Sequence, residues 1–100
     1  MDYAIIYPAE LDDYDWYMTG KKGWIDVTVR WDGGEQLLEF YDPVRLGQCV
    51  DEDIRQVGRF FGRNVIVVPE VTEAAIEAAV VALAARDFVD IAPDQGMAGA

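Results

Sequence analysis

Histidine and serine are absent from this chain, and cysteine occurs once, at Cys49. Without them, no Ser-His-Asp or Cys-His nucleophile can be assembled within the chain. Zinc sites built on histidine or on several cysteines are excluded, and so is an intramolecular disulfide. Cations are scarce: eight lysines and arginines stand against nineteen aspartates and glutamates, a net charge of −11. That charge repels nucleic-acid phosphates and anionic lipid headgroups, so neither nucleic acid nor membrane is an expected partner. A basic protein is the better match, with solubility as the plainer use of the acid. Long apolar runs are also missing. The most apolar stretch, residues 65–85, is broken by Pro69, Glu70, Glu73 and Glu77, so it does not read as a membrane span. The opening MDYAIIYPAE has neither the basic nor the long apolar segment of a secretory signal. Together with the lone cysteine, this points to the reducing cytoplasm.

What is present suffices for one domain. In 100 residues, 52% are apolar, enough for a core and too many for a disordered chain. Residues 3–7 (YAIIY) form a short apolar run ended by Pro8, a first strand. Residues 24–31 (WIDVTVRW) alternate cleanly, with Ile25, Val27, Val29 and Trp31 on one face. Asp32-Gly33-Gly34 is a hairpin signal, and residues 35–41 return antiparallel with Leu38 and Phe40 sharing a side. Asp42-Pro43 then starts a helix whose Leu46, Val50, Ile54 and Val57 recur at helical spacing, ending near Gly58 or Gly62. Cys49 falls in that apolar neighbourhood and reads as a small buried hydrophobe. Residues 65–68 (VIVV) look like an interior strand, and Thr72 caps a second helix running to about Arg86.

The expected architecture is a single α+β domain over residues 1–92, with a flexible tail at 93–100. Its sheet is mixed or mainly antiparallel, of four to five strands, with two helices packed on it in the order β-β-β-α-β-α. An extra strand between Tyr14 and Thr19 would supply the fifth.

One segment combines charge with aromatics. Glu10, Asp12, Asp13 and Asp15 interleave with Tyr14, Trp16 and Tyr17, beside Leu11 and Met18. As a calcium loop it fails, because neither the glycine nor the distal glutamate follows. As a general acid–base pair it is unspecific. As an interface it fits better: tyrosine and tryptophan anchor binding hot spots, and carboxylates steer a cationic partner. The alternative is that the aromatics are core and the carboxylates are solvated. Asp26, on the outward face of its strand, is a further candidate contact. Asp51-Glu52-Asp53 is read as a solvated helix face, and Lys21-Lys22 as a hairpin tip. Arg55, Arg59 and Arg63 recur every four residues and are expected to pair with Asp51, Glu52 and other local acids.

Two segments carry a resemblance. FYDPVRLGQ (residues 40–48) and NVIVVPEVT (residues 64–72), followed by an apolar helix, resemble small bacterial immunity proteins of contact-dependent growth-inhibition (polymorphic toxin) systems. The similarity covers about a third of the chain, and its motifs are structural, so no binding residue transfers with it. The resemblance implies a cytoplasmic antidote that binds a cognate protein toxin, often a basic nuclease, and blocks its active site. The expectation is therefore an acidic protein-binding inhibitor, not an enzyme, with no cofactor or metal, as a monomer or homodimer. Its contacts would be Glu10, Asp12, Asp13, Tyr14, Asp15, Trp16, Tyr17 and Asp26. The competing expectation is a homodimeric structural or accessory subunit without catalytic activity, with or without a small ligand. An enzyme using carboxylates alone, or with Mg²⁺, ranks last.

Overall fold

A computed structural model describes residues 2–91; the expected tail at 93–100 lies outside them. The chain is an α+β domain whose mixed sheet has four strands in sequential order. Its elements are β1 (Tyr3–Ile6), α1 (Asp13–Lys22), β2 (Trp24–Trp31), β3 (Gly34–Tyr41), α2 (Pro43–Val57), β4 (Val65–Val67), α3 (Glu73–Ala85) and a short 3₁₀ turn at Val89–Ile91. β1–β2 and β2–β3 pair antiparallel, and β3–β4 pair parallel across the α2 crossover.

The alternation of β2 and β3 sorts the sheet into two unlike faces. One face carries Ile25, Val27, Val29 and Trp31 from β2 with Leu38 and Phe40 from β3, all buried. α3 covers it with Ile76 and Val80, and Val68, Val71, Phe88 and Ile91 complete a single cluster. The second face carries Ile6, Thr28 and Leu37 in one paired row, and Trp24, Tyr41 and Val67 in another. Its middle row sets Asp26 against Glu39. Directly opposed like charges repel, and Glu39 is relieved in part by the Tyr41 hydroxyl, which donates to it at 3.2 Å.

Local chemistry explains the helix starts. Asp42 and Thr72 each accept a hydrogen bond from the backbone N–H three residues on, at 2.7 and 3.1 Å. Pro43 occupies the first turn of α2, and Gly58 ends it with a φ of 81°. α3 is followed by two residues in the left-handed region, Asp87 and Phe88, at φ 56° and 58°. For a bulky phenylalanine that backbone is strained. The ring holds it there, stacked on Trp31 at 4.5 Å and edge-on to Tyr3 at 5.7 Å between centroids.

Three expectations need correction. The segment read as polar with a possible strand at 14–19 is the helix α1, so three helices and not two flank the sheet. Lys21-Lys22 close that helix and do not form a hairpin tip. The 65–68 run is a three-residue edge strand with Val67 half exposed, not an interior strand. A run of β-branched residues marks a strand, but the burial of that strand depends on what lies beside it. α2 likewise follows its expected pattern, yet none of its residues is fully buried.

Gly23 joins the two halves of the chain. It caps α1 at φ 83°, and a Cβ there would meet Asp42 Oδ2 at 2.7 Å and Arg45 Cβ at 2.8 Å. Gly58 has the same backbone but nothing within 4 Å. Gly58→Ala should cost about 1–2 kcal/mol of left-handed strain. Gly23→Ala should cost more, because the packed α2 cap must also shift. Urea midpoints of the two variants check this; equal losses would mean the Gly23 contact is inconsequential.

Candidate functional site

α1 forms because its first turn is held by its own acids. The Asp15 N–H donates to Asp12 Oδ1 at 2.8 Å, and the Asp12 N–H donates back to Asp15 Oδ2 at 3.3 Å. This reciprocal box satisfies two otherwise orphaned donors. Asp12 and Asp15 therefore have a structural duty that the sequence reading did not assign. Asp13 stands in the first turn, exposed, where its charge suits the helix dipole.

Helical spacing divides the aromatics. Trp16 faces inward, half-buried against the core, with its indole edge-on to Tyr7 at 5.3 Å and 88°. Gly20 shares that side, near the Val71 carbonyl. Tyr14, Tyr17 and Met18 face outward and are 67%, 59% and 40% exposed. The Lys21 ammonium lies 5.4 Å from the Tyr17 ring centroid, and Lys22 lies 4.8 Å from that of Trp24. Of the expected contacts, Trp16 belongs with the core, whereas Glu10, Asp13, Tyr14 and Tyr17 are each exposed. Asp26 lies on the sheet face away from the core and is half-buried; it lines a groove of about 300 Å³ with Leu11, Thr19, Lys22 and Trp24 along α1.

Two more shallow grooves flank the helix. One, of about 500 Å³, is lined by Ile5, Tyr7, Glu10, Leu11, Trp16 and Glu73. The other, of about 420 Å³, is lined by Trp16, Tyr17, Gly20, Lys21, Glu70 and Thr72 among others. Glu70 and Glu73 thus extend the acidic rim from a distant part of the sequence. Sequence reasoning missed them as site residues, since Glu73 shows locally only as a first-turn acid of α3. Among the described residues, no three histidine, cysteine or carboxylate side chains converge to hold a metal ion. Among them too, no helix is long and apolar enough to cross a membrane.

The Tyr7 phenol is pushed up to about 12 by burial, and further by the negative charges of Glu73 and Glu77. Its hydroxyl oxygen is buried without a hydrogen-bond partner. Tyr41 is also pushed up to about 12, by burial first and then by Glu39, with Cys49 and Asp26 adding smaller effects. No residue of α2 belongs to the core cluster or packs against it, so α2 lies off the core face.

Comparison with protein-family models, with curated proteins and with solved structures found no match.

Two outcomes follow for α1 and its support. Asp12→Ala should cost about 0.5–2 kcal/mol through the lost cap, whereas Tyr14→Ala and Tyr17→Ala should stay within about 0.5 kcal/mol of the parent. Thermal denaturation checks the contrast. Both phenols ionise more readily in the unfolded chain, near pH 10, than in the fold, so their stabilising effect is complete below pH 10 and is lost as pH rises toward about 12. Tyr7→Phe should shrink that alkaline loss and leave stability at pH 7 equal or higher, because an unsatisfied hydroxyl is removed. A marked loss at pH 7 would show that the hydroxyl has a partner.

Proposed function

We propose that this chain is an acidic protein-binding inhibitor of the immunity type, acting in the bacterial cytoplasm without catalysis, cofactor or metal. The observation that carries the proposal is the outward face of α1. Tyr14, Tyr17 and Met18 stand exposed at i, i+3 and i+4 on a helix that the Asp12–Asp15 box and buried Trp16 hold in place. Carboxylates from two parts of the chain, Glu10 and Asp13 beside Glu70 and Glu73, border the helix or its grooves. Aromatic anchors with an acidic rim suit a cationic cleft: the rings exclude water, and the acids accelerate encounter and pair at the edge. The −11 net charge adds long-range steering, worth about 10–10³ in association rate. The partner is a cognate basic toxin, with a nuclease as the leading case.

A second reading has its own support. α3 buries Ile76 and Val80 but leaves Ala74, Ala78, Val81, Ala82 and Ala85 exposed, a small-residue face on which a second subunit could close. Light scattering across concentration separates the readings, since a strict monomer removes the dimer.

The test of the inhibitor is capture of a basic toxin protein from the source lysate and measurement of its binding to this chain and to variants of α1. Asp12 and Asp15 are poor probes because their loss unravels the cap. Tyr14→Ala with Tyr17→Ala should weaken affinity at least tenfold, about 1.4 kcal/mol. Glu10→Lys with Asp13→Lys should slow association and flatten its salt dependence. Unchanged affinity in both doubles removes α1 from the interface.

A further inference from the structure

The far end of α2 carries a surface opposite in character to α1. Residues 54–68 contain three arginines, Arg55, Arg59 and Arg63, and no carboxylate. That is +3 in a chain of −11, so the other 85 residues carry −14. The boundary is sharp, because Asp51-Glu52-Asp53 precede it directly. Glu52 engages Arg55 at 2.6 Å, while the Arg59 guanidinium turns back to the Val57 carbonyl at 3.3 Å.

The same stretch exposes apolar side chains. The stripe of α2 begins half-covered at Leu46, Cys49 and Val50 and ends uncovered, with Ile54 51% and Val57 59% exposed. Phe61 follows at 81%, the most exposed large hydrophobe among the described residues. Leu37, half exposed, lies on the sheet face away from the core. Gly62 follows Phe61 in the loop between α2 and β4. A Cβ at Gly62 would meet Val65 Cγ2 at 2.7 Å and the Phe60 ring at 2.9 Å, so only glycine lets the chain turn there without movement.

We infer that the end of α2 and the loop after it, centred on Ile54, Val57, Arg59 and Phe61, form a second docking surface for an acidic segment of a protein partner that carries apolar side chains. Charge complementarity selects this occupant. Exposed apolar anchors with the Arg59 guanidinium held beside Val57 fit carboxylates interleaved with leucine or phenylalanine. A flat anionic membrane would also meet the −14 of the remaining chain and be repelled. A short peptide reaches the local patch without that opposition. The surface is independent of α1 and stands whether or not α1 binds a toxin.

A fluorescein-labelled peptide of alternating glutamate and leucine, titrated with the intact protein, tests this by anisotropy. Saturable binding is expected, falling with salt and weakened about tenfold by Phe61→Ala and by Arg59→Glu. Both variants alter exposed positions, and circular dichroism verifies that they fold. Four results overturn the inference: no saturable binding, equal binding of the glutamine-for-glutamate peptide, indifference to both variants, or binding to phosphatidylserine vesicles in place of the peptide. Self-association that Phe61→Ala abolishes would likewise overturn it, in favour of a second copy of this chain.

Discussion

The alternation of β2 and β3 governs this molecule. Because side chains point to opposite faces at every step, Ile25, Val27, Val29 and Trp31 go to one side with Leu38 and Phe40. Slipping the hairpin by one residue would put all of them in water. The Asp32-Gly33 turn, between the paired Trp31 and Gly34, keeps the register. Among the described residues, the deeply buried apolar side chains collect in one cluster on that face, under α3 and the Phe88–Trp31–Tyr3 stack.

A core confined to one face leaves much apolar and charged surface to spare. α1 contributes one inward tryptophan and presents the rest of its aromatics to solvent. α2 adds nothing to the core cluster, and no residue of it reaches full burial. A small domain that seals one face only has two helices with outward features available for recognition. The α1 surface is acidic and aromatic; the end of α2 is cationic and apolar. Their opposite characters suit two different contacts better than one continuous interface.

Local signals were the legible part of the sequence. The hairpin, the caps at Asp42 and Thr72 and the stop at Gly58 follow from side-chain chemistry within a few residues, and the structure has each. α1 was hidden because tyrosine, tryptophan and threonine favour strands. The aspartate pair at 12 and 15 and Gly23 beyond two lysines were its discoverable signature. That change of period decides the site. At strand spacing Tyr14 and Trp16 would share a face, whereas at helical spacing Trp16 turns inward and Tyr14 joins Tyr17. Burial of α2 and the edge position of β4 were not legible, since both depend on neighbours supplied from elsewhere in the chain. The approach of Glu70 and Glu73 to α1 has the same origin.

The central claim is that stability resides in the single-faced core, with α2 held lightly outside it. Native-state amide exchange measures this directly, residue by residue. The slowest amides should lie in β2, β3 and the buried side of α3, exchanging only on global unfolding. The last two turns of α2, around Ile54 and Val57, should exchange through a smaller opening well before the sheet does. Protection in α2 equal to that of β2 and β3 would contradict the account.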